Sequence, residues 1–222
     1  MDSNRKIAII VGVLFLIATV VLIVGGIFSL GIHESDYLTE VAANESQIIT
    51  GAILEIVSAA AIVGIPIAMF PLLKKYSEGL ALGYVATRIF EALTIFLNTI
   101  VLIAILSLSQ EFVNAGAPDI SYFQNAGALL LATREWLSLL VDFPFPLGAV
   151  IFNHLLYKTK LTPRWIAVLG IIGGALWLTT TPLRMFGFNP EAMEFLAAPI
   201  AVQEMILAVW LIAKGFNSPE KV

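Results

Sequence analysis

Residues 7–30 read IAIIVGVLFLIATVVLIVGGIFSL, and no charged residue interrupts them. A helix of about 20 apolar residues crosses a hydrocarbon core roughly 30 Å thick. Inside that core every backbone donor and acceptor needs an internal partner, so a span is a helix or part of a closed barrel. The run lacks the two-residue alternation of a barrel strand, which leaves the helix. Five further runs have the same character: 47–73, 79–108, 122–157, 165–182 and 190–214. The fourth is too long for one straight span. Its Phe143-Pro144-Phe145-Pro146 predicts a kink near 144–146, because each proline removes a helical donor. Arg5-Lys6 resembles the charged start of a signal peptide. The run that follows exceeds the usual apolar region of about 7–15 residues, and no A-x-A site ends it. It is expected to stay as a first helix. The fold class read from this pattern is all-α: one membrane domain over residues 1–222, built as a bundle of six transmembrane helices.

Composition agrees. Apolar residues make up 59% of the 222 positions and charged residues 13%, against roughly 45–50% and about 25% in soluble domains. So few charges exclude a disordered chain, a coiled coil, a collagen-like rod and most soluble enzymes. The net charge of −4 offers no basic footprint for nucleic acid. The absence of cysteine excludes disulfide frameworks, zinc–thiolate sites, iron–sulfur clusters and cysteine nucleophiles. The expected partner is the lipid bilayer.

The basic residues orient the chain, because cytoplasmic loops carry the excess of Lys and Arg. With the N-terminus inside, one side receives Arg5, Lys6, Lys74, Lys75, Lys158, Lys160, Arg164, Lys214 and Lys221, and the other receives Arg184 alone. The other loops are acidic, with Glu34, Asp36, Glu40, Glu111, Asp119, Glu191 and Glu194. Both termini are expected in the cytoplasm of a plasma (cytoplasmic) membrane. Gly79 with Gly83, and Gly170 with Gly174, form GxxxG pairs that let helix backbones approach closely.

Seven charged residues fall inside the spans: Glu55, Arg88, Glu91, Arg134, Glu135, Asp142 and Glu204. Each would cost about 2.5–3.5 kcal/mol facing lipid at the bilayer centre. Together they exceed a typical folding stability of about 5–15 kcal/mol, so they must face the interior or one another. Counted at about 1.5 Å per residue, Arg88, Glu91, Glu204 and Glu55 lie near mid-bilayer, with Asp142 nearby. Arg134 and Glu135 lie higher and are expected to snorkel to the outer interface. Tyr84, Arg88, Glu91 and Asn98 recur on one helical face. The midplane inventory is then one guanidinium, Arg88, and four carboxyls: Glu55, Glu91, Asp142 and Glu204. Burial and mutual repulsion favour the neutral form of some of them, and otherwise a cation must supply the missing charge.

Familiar catalytic patterns are missing. His33 and His154 are too far apart in depth to ligate one haem. There is no HExxH, no di-iron Glu-x-x-His, no G-x-S-x-G, no P-loop and no GxGxxG. Neither metal nor cofactor is expected. Thr179-Thr180-Thr181 reads as three hydroxyls bonded back to helical carbonyls. The two halves of the chain match too thinly to define an inverted repeat, and six short-looped helices make so small a transporter that alternating access would require a homodimer.

Three stretches carry a family likeness: Gly83 through Arg88 and Glu91 to Ala92; Leu155 through Pro163-Arg164-Trp165, with Gly170 and Gly173; and Pro199 through Glu204 to Lys214-Gly215-Phe216. In these stretches the chain resembles, along nearly its whole length, the prokaryotic multi-pass membrane proteins grouped as domain of unknown function number four-three-eight-six. Lysine stands at Lys158 and Lys160 where that family often has arginine, which preserves charge but not arginine-specific contacts. The resemblance implies no activity or substrate. It places Arg88, Glu91, Pro163, Arg164, Glu204 and Lys214 in recognisable motifs.

Three functional readings follow. The first is a binding or transport protein for a small polar ligand, ion or proton. There Arg88 clamps an anion or carboxyl, and Glu91 and Glu204 carry protons. Glu55, Asp142, Tyr84 and Asn98 complete its candidate residues. The second is a structural or assembly partner of another membrane protein. The third is an intramembrane enzyme with Glu91 or Asp142 as general acid–base. A ligand-filled cavity at Arg88 would favour the first or third, and closed packing there the second.

Overall fold

A computed structural model describes residues 3–33, 35–116, 120–188 and 190–217, with the backbone alone for 190–194. Of the charges weighed above, Glu34, Asp119 and Lys221 lie outside the described residues, as do the side chains of Glu191 and Glu194. The described residues are helical, with no strand among them. Six segments are long and apolar enough to cross a membrane, and the chain has a multi-pass membrane architecture.

The first span is α1, Ser3–Phe28. Its buried positions Ala8, Val11, Phe15 and Ala18 form one stripe at helical spacing, and the stripe packs on α3 and α8. A single 3-10 turn, Leu30–His33, and the short helix α2, Tyr37–Ala43, occupy the following loop. The second span is α3, Glu45–Leu73, and the third is α4, Glu78–Asn114. At about 1.5 Å per residue the 37 residues of α4 reach roughly 55 Å. That exceeds a hydrocarbon core of roughly 30 Å, and α2 and α5 pack against it.

The expected kink is a full break. One helix, α5, runs Ile120–Val141, and a second, α6, starts at Pro144 and runs to Thr159. Proline has no N–H to donate and is tolerated in the first turn, where that donor would be unpaired anyway. Two prolines one residue apart therefore favour a fresh start over a bent continuation. The bundle is completed by α7, Arg164–Met185, and α8, Pro190–Ala213.

Two apolar cores hold the helices. One centres on Phe15, Tyr84 and Phe152, with Phe152 stacked between the other two rings at centroid distances of 5.9 and 4.6 Å. The second gathers Ile32, Val41, Ile48, Leu102 and Ile105. The outward faces are apolar as well: Ile67, Phe90 and Leu129 are each more than 60% exposed. Such a surface suits hydrocarbon, not water.

Glycine contacts differ from expectation. Nothing lies within 4 Å of a Cβ built on Gly79, and Gly83 meets only Ile151 at 3.8 Å, so that pair brings no backbones together. Gly170 and Gly174 do pack tightly, against Asn153 and against Val150 and Pro146 of α6. Helices α7 and α8 approach closely at Gly173, whose added Cβ would sit 2.6 Å from the Ile200 nitrogen.

Candidate functional site

The charged side chains form three separate groups. At the centre, Arg88 of α4 binds Glu91 one turn away at 3.0 Å and Glu204 of α8 at 2.9 Å. All three are nearly inaccessible, at 2%, 4% and 8% exposure. Helix α4 turns this face inward because its other face carries Ile89, Phe90 and Leu93, all exposed. The guanidinium carbon lies 5.8, 5.5 and 5.5 Å from the ring centroids of Phe15, Tyr84 and Phe145. Aromatic faces attract a guanidinium through their quadrupole, so rings complete a shell that the two carboxylates leave open. Arg88 is not on the wall of the cleft described below. The packing around it is closed.

The second group joins α3, α4 and α5. Arg134 reaches Glu55 at 2.7 Å and donates to the Asn98 carbonyl at 2.7 Å. The other Glu55 oxygen accepts from the Thr99 hydroxyl at 2.6 Å, and the Asn98 amide donates to Ser138 at 2.9 Å. Arg134 therefore does not snorkel to the interface. Its long side chain finds a carboxylate on a neighbouring helix, in a charge-assisted hydrogen bond. Asn98 and Glu55 belong to this group and make no contact with Arg88.

The third group sits at the α5–α6 break. Asp142 accepts from Arg184 of α7 at 2.5 Å, and its backbone carbonyl accepts from the Thr181 hydroxyl at 2.7 Å. Thr179 and Thr180 bond back to the carbonyls of Leu176 and Trp177, but Thr181 ties α7 to the break. Arg184, assigned to an outer loop by its position, serves a carboxylate inside the bundle.

These pairings correct the charge count. Three guanidiniums, not one, face the four carboxyls, and Glu55 and Asp142 are each balanced one to one. The imbalance is confined to Arg88, which faces two carboxylates. Two uncharged polar residues escaped the sequence reading. Gln203, fully buried beside Glu204, donates to Asn153 at 2.9 Å, and Asn153 donates to the Ala149 carbonyl. Amides within apolar runs were the available signal. Among the described residues no three His, Cys, Asp or Glu side chains converge as a metal site.

One cleft of about 940 Å³ opens at the end of the bundle away from Arg5 and Arg164, between the α1–α2 connection, α5 and the end of α7. Its walls include Arg134, Arg184, Glu135, His33, Tyr37 and Trp136. Tyr37 lies outside the spans, and burial pushes its phenol up from the ordinary value.

A family model described as "Domain of unknown function (DUF4386)" matches residues 10–215. No curated protein and no solved structure matches the chain.

Proposed function

The chain belongs to the DUF4386 family, a domain of unknown function, and from its own residues we propose a membrane protein of the binding or transport class whose Arg88–Glu91–Glu204 triad holds one proton. One observation carries this reading. Two carboxylates close on one buried guanidinium, and no other charged side chain among the described residues joins them. An uncompensated carboxylate in an apolar interior costs several kcal/mol. A proton removes that charge and needs no cavity. Arg88, Glu91 and Glu204 are all nearly inaccessible, so of the ligands the charge pattern allows, the proton fits best.

The same inaccessibility favours a second reading, in which the triad only ties α4 to α8 within a structural or assembly protein. The two readings separate experimentally. Glu91→Gln and Glu204→Gln each mimic a protonated side chain. If one proton is held, the Gln variant at its site keeps nearly wild-type thermal stability in detergent. It also removes a carboxylic-acid C=O band from the infrared spectrum at neutral pH. The other variant loses about 3–5 kcal/mol, the range for breaking a buried pair. Strong destabilisation by both, with no acid band in the wild type, would overturn the proton reading. A retained band that changes in neither variant would do the same.

A further inference from the structure

We propose that the cleft at the Arg134–Arg184 end of the bundle is a binding site for an oxyanion, carboxylate or phosphate, carried on a small apolar body. The twelve basic residues divide unevenly between the two ends of the bundle. Eight belong to the opposite end or its flanking segments, Lys221 lies outside the described residues, and Arg88 is sealed in the core. The remaining two, Arg134 and Arg184, come from different helices and line the same cleft. Basic residues are scarce on this side of the molecule, so the presence of both on one cleft wall is the departure that needs a cause.

Each guanidinium is held by a carboxylate, and Arg134 also donates to the Asn98 backbone and side-chain oxygens. Glu55 holds Arg134 and Asp142 holds Arg184, and neither carboxylate is on the cleft wall. A guanidinium has five N–H donors in a fixed fork. A carboxylate on one edge locks the side chain without enclosing the whole fork, and a locked donor costs less entropy to use. The rest of the wall includes Trp136, Leu131, Leu139 and Phe188, which suit an apolar body, and Ser138 adds a hydroxyl. Glu135 is the one acid on the wall among the described residues. It disfavours a ligand charged along its whole length and favours a single anionic group at the arginines. At about 940 Å³ the cleft has room for a molecule larger than a bare ion.

The test uses the full chain in neutral detergent and follows tryptophan fluorescence, because Trp136 is on the wall. Hexyl phosphate, inorganic phosphate and hexylammonium are titrated separately. Hexyl phosphate should give a saturable change, inorganic phosphate a weaker one, and hexylammonium none. The double variant Asp142→Asn with Arg184→Gln removes the donor without stranding its carboxylate. It should bind hexyl phosphate about tenfold more weakly or worse, with Arg184→Lys intermediate. Hexylammonium binding as tightly as hexyl phosphate would overturn the proposal. So would undiminished binding by the double variant, inorganic phosphate binding as tightly as its hexyl ester, or no saturable response to hexyl phosphate. Nanodiscs distinguish the source of the oxyanion. Loss of the hexyl phosphate response in phosphatidylcholine discs doped with phosphatidylglycerol, but not in phosphatidylcholine alone, assigns it to a lipid headgroup. Retention in both assigns it to a soluble ligand.

Discussion

At the level of single residues the interior is organised by arginine reach. Arg134 is the instructive case, because depth along a helix predicts snorkelling and the structure gives an ion pair with Glu55. Depth can be counted from sequence at about 1.5 Å per residue, but which helices are neighbours cannot. A guanidinium on a long stem selects the nearest carboxylate on whatever helix adjoins it. The inward faces of α3 and α4 were therefore legible from Glu55, Arg88 and Glu91, while the partition into three groups was not. The pairing makes a prediction. Glu55→Gln or Arg134→Gln alone should destabilise by about 3–5 kcal/mol, since each strands a buried charge. The double variant should recover most of that loss, because its two neutral side chains need no counter-charge. Thermal unfolding of the three variants in one detergent gives the coupling energy directly. Additive losses would mean that the pair contributes no specific stabilisation.

At the level of helices, glycine and proline decide contacts that charge does not. The GxxxG at Gly79 and Gly83 looks like a packing motif in sequence, yet both glycines have space around them. Gly173, outside both GxxxG pairs, lies against the backbone of α8 at Pro199 and Ile200. Small-residue spacing marks a face where close approach is allowed, but only tertiary packing selects the faces that meet. Gly173→Ala should therefore push α7 from α8 and cost about 1–3 kcal/mol, the usual range for overpacking. Gly79→Ala meets nothing and should be neutral or stabilise by about 0.4–1 kcal/mol through a stiffer unfolded chain. Matched unfolding curves check both, and equal losses at the two positions would remove the packing argument. The break at Asp142 was partly legible in the same sense. Pro144 and Pro146 announced an interruption, but the anchoring of the broken end by Arg184 and Thr181 depends on α7 lying alongside.

At the level of the whole molecule, the two ends are chemically unlike, and the fold makes each end a unit. Arg5 of α1 donates to the carbonyls of Leu211 and Ile212 at the end of α8, at 3.0 and 2.6 Å. These are among the last carbonyls of a helix, which have no intrahelical partner and carry the negative end of its dipole. Asn217 then bonds the Leu161 and Lys160 carbonyls in the α6–α7 connection. Arg5, Lys160, Arg164 and Lys214 are thereby collected at one end, while Arg184 is held by Asp142 near the other. A basic end of this kind resists translocation, so we expect it in the cytoplasm together with both termini. The chain has no native cysteine, which makes single-cysteine labelling clean. Thr159→Cys at the basic end should be protected from an impermeant thiol reagent on intact cells and react after lysis. Glu111→Cys, exposed at the far end of α4, should react on intact cells. The reverse pattern would invert the topology and turn the Arg134–Arg184 cleft toward the cytoplasm. Its oxyanion would then have to come from the cytoplasm or the inner leaflet, so the labelling result decides from which side the cleft is filled.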